Sequence, residues 1–256
     1  MKFRVVNITL FFILCSLFLL NRYYNTSLVY CLIPLVCWII ITSVGAFEIR
    51  FNYFLKAFNK GKTKEKVIAL SFDDGPTKFT PRILKILEKN NAKATFFCIG
   101  KQIDQYPEIL VELHRLGHHV GNHTYNHSAQ NGFYSAKKIQ EEIDSTDQLI
   151  SKIIAQKPKL FRPPFGVTNP HIAKAITQTK HHVIGWNIRS LDTVIEDEKK
   201  LYNRITRQIK PGSIVLMHDT SDKTANVLEQ LFVFLQQENY KVVPLNELLK
   251  IDVYEN

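Results

Sequence analysis

Val67-Ile68-Ala69-Leu70-Ser71-Phe72-Asp73-Asp74-Gly75-Pro76 is an apolar strand that ends in two adjacent carboxylates and a turn. Beyond it, short apolar runs alternate with longer amphipathic ones. Strands are predicted over 67–72, 94–99, 119–121, 160–162, 182–186, 213–217 and 241–244. Helices are predicted over 80–90, 103–116, 135–154, 171–177, 199–209 and 225–238, with a short one from Leu245. In the first of these, Ile83, Leu84, Ile86 and Leu87 recur at helical spacing on one broad face. Strands alternating with helices imply parallel βα units, and about seven of them imply a barrel.

In βα barrels, functional groups gather on the loops leaving the C-terminal ends of the strands. Asp73 and Asp74 follow the first predicted strand, and His123 and His127 the third. Arg162 and Phe165 end the fourth, Asp192 follows the fifth, and His218 ends the sixth. One rim therefore collects nearly every group capable of chemistry.

Two like charges as close as Asp73 and Asp74 oppose each other's ionisation unless a cation lies near. A divalent metal resolves the conflict if one aspartate binds it and the other stays free as a base. Alone, Asp-Asp-Gly-Pro is also an ordinary strand-end turn. His123 and His127 are spaced i, i+4, which on a helical turn puts both imidazoles on one face, a spacing that chelates zinc. Two histidines and one aspartate leave a coordination position open for water or substrate. His114, His118 and His119 fit no second cluster and read as structural.

The order Ser71-Phe72-Asp73-Asp74-Gly75-Pro76, His123-Thr124-x-x-His127, Arg162-Pro163-Pro164-Phe165-Gly166 and Val215-Leu216-Met217-His218-Asp219 resembles the polysaccharide deacetylases, the NodB homology family (carbohydrate esterase family 4). The resemblance runs from about Lys66 to Glu247. It implies an irregular (β/α)7 barrel and removal of N-acetyl groups from a sugar polymer. It further implies Asp73 as general base, Asp74, His123 and His127 as metal ligands, and His218 as general acid. Arg162 would hold Asp73, Asp192 would tune His218, the Phe165 N–H would bind the oxyanion, and Leu216 would line the acetyl pocket. Zinc suits the Asp-His-His donor set, which also takes cobalt or nickel. One motif departs from the family's Asp-x-x-Asp-Trp: Trp186-Asn187-Ile188-Arg189-Ser190-Leu191-Asp192-Thr193 places Arg189 nearby and Thr193 where the tryptophan stands. Both changes bear on the substrate rather than on the reaction class.

The first 47 residues differ in character from the rest. Val5 to Leu20 is almost wholly apolar, and a second run extends from Leu28 to Phe47. A bilayer span takes about 20 apolar residues and at least about 17. The second run meets that length despite Pro34. The first is shorter, and no small-residue cleavage site clearly follows it. Two membrane helices in a hairpin are predicted, so the expected location is the cell membrane, multi-pass. Residues 48–66 read as a basic juxtamembrane linker and 67–256 as the catalytic domain. Basic flanks mark the cytoplasmic side, which for a hairpin puts the domain in the cytoplasm. If only one run spans, the domain faces outward.

The 256 residues suffice for one substantial core. A net charge of +10 suits anionic lipid or acidic polymers as well as an ordinary solvated surface. No nucleic-acid module is visible: there is no stacking-aromatic signature and no zinc-finger spacing. Cys15, Cys31 and Cys37 fall in the apolar segments and Cys98 stands alone, so no disulfide framework is expected. The expected partners are therefore the bilayer and an N-acetylated polysaccharide. A lipid-linked aminosugar, deacylated or deformylated at the membrane, is a second substrate class. A catalytically silent sugar-binding protein would need a missing catalytic residue, and base, ligands and acid are all present.

Overall fold

Residue alternation in β2 (Val67–Asp73) organises the molecule. In the computed structural model, which describes residues 2–255, Ile68, Leu70 and Phe72 pack outward against a helix layer. Ala69 packs inward, and Ser71 and Asp73 share its face. Burial on both faces is what a central parallel strand requires.

Around β2 lie β3 (Thr95–Cys98), β4 (His119–Asn122), β5 (Leu160–Phe161), β6 (His182–Ile184) and β8 (Ile214–His218). Two-residue strands β1 (Ala57–Phe58) and β7 (Ile188–Arg189) form the edges, and β9 (Lys241–Val242) pairs the start of β2. The sheet runs β1-β6-β5-β4-β3-β2-β8-β7, and its strand pairs are parallel. Among the described residues β1 and β7 do not pair, so the sheet is a curled half-barrel covered by helices, the irregular (β/α)7 form.

The covering helices are α3 (Thr80–Lys89), α4 (Gly100–Gln105), α5 (Pro107–Arg115), α6 (Ala136–Ile154), α7 (Pro170–Thr179), α8 (Glu198–Thr206), α9 (Asp222–Gln237) and α10 (Leu245–Leu249). The helix predicted over 103–116 is two helices. Pro107 has no N–H to continue the first, and Tyr106 leaves helical geometry at φ −134°, ψ 54°.

The stretch read as a linker, 48–66, packs into the domain. Ile49, Tyr53, Phe54, Leu55 and Ala57 are buried, and β1 pairs Ala57 and Phe58 with Val183 and Ile184. Exposed Lys56 sits between buried Leu55 and Ala57, and exposed Lys60, Lys62, Lys64 and Lys66 follow, so a reading by charge alone missed the strand. Upstream, α1 (Lys2–Tyr24) and α2 (Leu32–Phe47) are joined by a short turn of helix at Leu28–Cys31. With that turn counted into the second, both helices are long and apolar enough to cross a bilayer. They leave Phe11, Phe12, Phe18, Ile33 and Ile39 exposed. The Trp38 indole N–H donates to Asn7 Oδ1 at 2.8 Å, tying the pair together.

The hairpin docks on the domain through its two near ends. Phe3 N donates to Tyr53 O at 3.1 Å, and Thr168 N donates to Ala46 O at 2.9 Å. Gly45 permits this approach, because a Cβ there would fall 2.4 Å from the Tyr53 ring.

Candidate active site

Asp73 ends β2 facing inward, buried at the floor of the cavity. Arg162, at the end of β5, is fully buried beside it. Its Nη1 donates to Asp73 Oδ1 at 2.6 Å, Nη2 to Ser71 Oγ at 3.0 Å and Gly185 O at 3.1 Å, and Nε to Ile184 O at 3.0 Å. The guanidinium also lies over the Phe97 ring, 4.1 Å from its centroid. An arginine so completely satisfied is a fixed strut, not a mobile charge. Burial pushes the Asp73 carboxyl above its ordinary range, with the Arg162 charge pulling the other way. The carboxylate is thereby a stronger base than an exposed one.

Asp74 takes φ 73°, a left-handed conformation costly for a non-glycine residue, and this turns its side chain across the strand ends. The histidine pair sits on the loop after β4, the strand end at which the sequence places it, and meets without a helical turn. Thr124 (φ 65°) and His127 (φ 46°) are left-handed, and that curl brings the imidazoles together with ring centroids 4.8 Å apart. Asn122 and Glu142 shape the loop. Asn122 Oδ1 accepts from Thr124 N at 2.8 Å, and the buried Glu142 carboxylate accepts from Asn126 N at 2.8 Å and Asn126 Nδ2 at 2.6 Å.

The donor set fits a divalent cation. His123 Nε2 and His127 Nε2 lie 3.6 and 3.5 Å from the same oxygen, Asp74 Oδ1, which is buried and has no hydrogen-bond partner. One ligand atom from each residue falls within 4.8 Å of the others. His123 Nδ1 is 2.7 Å from Arg162 O, a contact only an N–H can make, which leaves the Nε2 lone pair directed at Asp74. Burial and the neighbouring His127 push the His123 imidazole down to about 3, so it is neutral, as a ligand must be.

His218, ending β8, faces the same carboxylate from the other side, with Nε2 3.9 Å from Asp74 Oδ2. Its Nδ1 is 2.7 Å from Asp192 Oδ1, while its backbone N donates to Asp192 Oδ2 at 2.7 Å. Burial alone would lower the imidazole, but the Asp192 hydrogen bond and charge carry it up to about 9. Although burial opposes it, the same contact holds the Asp192 carboxyl below its ordinary range. Thr224 Oγ1, from α9, donates to Asp192 Oδ2 at 2.9 Å and Ser190 Oγ to Oδ1 at 2.8 Å, fixing the carboxylate's rotamer.

A cavity of about 190 Å³ joins these groups, lined by Asp73, Asp74, His123, His127, Phe165, Leu216 and His218. Arg162 and Asp192 stand behind it, bonded to Asp73 and His218. Every residue singled out from the sequence thus converges on one place. Phe165 takes φ 60° beside the His127 ring, 4.7 Å away. Gly166 follows at φ 70°, so close to Trp186 that a Cβ would lie 2.4 Å from the indole. Trp186 and Gly166 as cavity walls were not anticipated. Nor were Ser71, Glu142 and Thr224 as supports, since each acts through a contact remote in sequence.

Residues 60–184 match the polysaccharide deacetylase family. The chain is 30% identical over 202 residues to the peptidoglycan-N-acetylmuramic acid deacetylase PdaA of Bacillus subtilis, covering 75% of each chain. It superposes on the Bc1960 peptidoglycan N-acetylglucosamine deacetylase with a TM-score of 0.73 at 26% identity, covering 77% of this chain and 94% of that one. It also superposes on BA3943 of Bacillus anthracis, described as a pseudoenzyme of carbohydrate esterase family 4. There the TM-score is 0.70 at 29% identity, covering 75% of this chain and 68% of that one.

Proposed function

Since this chain belongs to the polysaccharide deacetylase family, we propose that it is a metal-dependent amide hydrolase of N-acetylated sugars, with a polymer such as peptidoglycan as substrate. One observation carries the reading. The Asp74 carboxylate faces the histidine pair through one oxygen and His218 through the other, with the buried Asp73 alongside, its Oδ2 3.7 Å from His123 Nε2.

When bound at Asp74, His123 and His127, a divalent cation, zinc in our reading, supplies Lewis-acid polarisation of the amide carbonyl and acidifies water. Asp73 accepts a proton from the water that attacks the carbonyl carbon, and Arg162 holds its carboxylate in place. The Phe165 N–H donates to the oxygen that gains charge in the tetrahedral state, and Leu216 encloses the acetyl methyl. His218 Nε2 gives its proton to the sugar nitrogen as the C–N bond breaks, so that acetate and a free amine leave. Asp192 keeps that imidazole charged and oriented until then.

With its cation bound, the full chain in detergent micelles is expected to release acetate from N-acetylglucosamine oligomers or peptidoglycan. No acetate from any such polymer, with metal bound, would exclude the polymer and favour the lipid-linked aminosugar instead.

The acid role carries a pH signature. His218 works protonated, and its elevated value keeps it so until the pH rises through about 9. Asp192→Asn removes the charge responsible, so the alkaline fall in rate is expected at least one unit lower. A pH–rate profile reads this directly, and an unmoved alkaline limb would remove Asp192 from the role.

The apolar helices anchor the domain to the cell membrane in this reading. A lipid-linked aminosugar as substrate is favoured by one further contact: Thr168, three residues past Phe165, donates its backbone N–H to Ala46 O in the last turn of α2. The loop bearing Phe165 is thus held against the end of a membrane-length helix. A C-terminal reporter found outside the cell would exclude cytoplasmic lipid-linked intermediates.

A further inference from the structure

A second cavity, of about 840 Å³, lies outside the active site, where the apolar hairpin meets the domain. Phe3 and Arg4, in the first turn of α1, form one part of its wall. Lys56 and Phe58, from the segment that forms β1, and Lys174, from α7, form another. His181 and His182, where β6 begins, complete it.

The lining divides by chemistry. Phe3 packs on Phe54 with ring centroids 4.8 Å apart, and Leu55, Phe58 and Ile176 extend the apolar surface. Against these stand Arg4, Lys56 and Lys174, all exposed, and none of the lining residues is acidic. Among the described residues no carboxylate lies within salt-bridge distance of the three. Lys56 Nζ lies 5.1 Å from the Phe58 ring centroid, a contact that leaves its charge unneutralised. His181 is buried, and its Nδ1 has no hydrogen-bond partner among the described residues. A buried polar atom is ordinarily paired, and a headgroup hydroxyl in the cavity would pair this one.

Position selects the occupant. α1 begins here and runs to Tyr24, long and apolar enough to cross a bilayer. With the hairpin in a bilayer, its first turn lies at the level of the lipid phosphates, where cations draw anionic headgroups. Arginine grips a phosphate through two parallel N–H donors, and lysine acts on it as a point charge. Unpaired cations beside an aromatic wall complement a phosphate that carries acyl chains. A small soluble anion would leave that wall uncovered.

We propose that this cavity binds one anionic phospholipid of the adjacent leaflet. Arg4, Lys56 and Lys174 hold its phosphate, and its first chain carbons rest on Phe3, Phe54 and Phe58. The lipid then bridges α1 to α7 and β6, holding hairpin and domain together at the bilayer surface. This rests on the reading of the hairpin as a membrane anchor.

The test is native mass spectrometry of the full chain released from neutral detergent micelles, titrated with phosphatidylglycerol or with zwitterionic phosphatidylcholine. Wild type is expected to retain one phosphatidylglycerol per chain, with about tenfold or greater preference over phosphatidylcholine. The variant carrying Arg4→Gln, Lys56→Gln and Lys174→Gln is expected to lose that preference. A control with Lys85→Gln, Lys89→Gln and Lys241→Gln, which removes equal charge from outside the cavity, is expected to keep it. Melting in the same micelles gives a second reading, because a ligand bound to the folded state raises its Tm. Phosphatidylglycerol should therefore raise the Tm of wild type and not that of the cavity variant. Equal retention of the two lipids, an unchanged preference in the cavity variant, or its loss in the control overturns the site. Displacement of the lipid by excess glycerol phosphate would assign the cavity to a free phosphate and overturns it also. Alkaline carbonate extraction of membranes reports on the anchor by itself. A chain released by carbonate fails the anchor reading and the site with it, whereas a chain retained but unselective fails the site alone.

Discussion

Asp73→Asn is expected to lower turnover by about a thousandfold or more while the chain still binds one divalent cation. Removing a positioned general base typically costs about 10²–10⁴ in rate. The upper part of that range applies because burial raises the basicity of this carboxylate and no other carboxylate on the cavity is free of the ligand set. Asparagine keeps the shape and can still accept from Arg162, but it takes no proton. Asp74, His123 and His127 are untouched, so metal content measured on the purified variant should match wild type. Turnover above about a tenth of wild type would show that some other group removes the proton, and would take the base assignment from Asp73.

Arg162→Met is expected to damage stability as severely as Asp73→Asn damages rate. The methionine approximates the volume of the stem, but it leaves Asp73 buried without its cation and strands the carbonyls of Ile184 and Gly185. Removing one partner of a buried ion pair costs about 3–5 kcal/mol. For a domain of this size that corresponds to a fall in Tm on the order of 10 °C. The loss should also depend on pH in a defined sense. Without Arg162, burial is opposed only by the weaker pull of His218 and His127, so the folded-state pKa of Asp73 lies further above the unfolded value. The folded state then binds more protons, and stability decreases as pH rises toward that raised value. The deficit relative to wild type is therefore larger at pH 8 than at pH 5. Equal melting of variant and wild type at both pH values would mean that the pair contributes little to the fold.

Much of this site is legible in the sequence, for a physical reason. Parallel strands buried on both faces leave continuous apolar runs, and their C-terminal ends must carry whatever polar groups line the cavity. Asp73, His218 and Arg162 each sit at or immediately after such a run, and so could be read together. Asp192 was found by motif alone, since β7 is two residues long and leaves no pattern. The i, i+4 spacing of His123 and His127 suggested a helical turn, but a loop with two left-handed residues meets the same spacing. Pro107 is visible in the sequence and marks the break between α4 and α5, yet the apolar periodicity continues across it and concealed the stop. The segment from Ile49 to Phe58 was obscured by Arg50, Lys56 and the lysine run that follows it, whose charge says nothing about where the neighbouring apolar residues point. Contacts such as Thr224 with Asp192, Glu142 with Asn126 and Thr168 with Ala46 join positions far apart in the chain, and nothing local announces them.

X-ray absorption on the zinc-loaded full chain, compared with Asp74→Ala, addresses the metal centre most directly. The expected result is one zinc per chain in a shell of two imidazoles and a carboxylate, with that shell lost in the variant. A chain that binds no zinc tightly, or one whose zinc shell is unchanged by Asp74→Ala, would contradict a cation held by Asp74, His123 and His127.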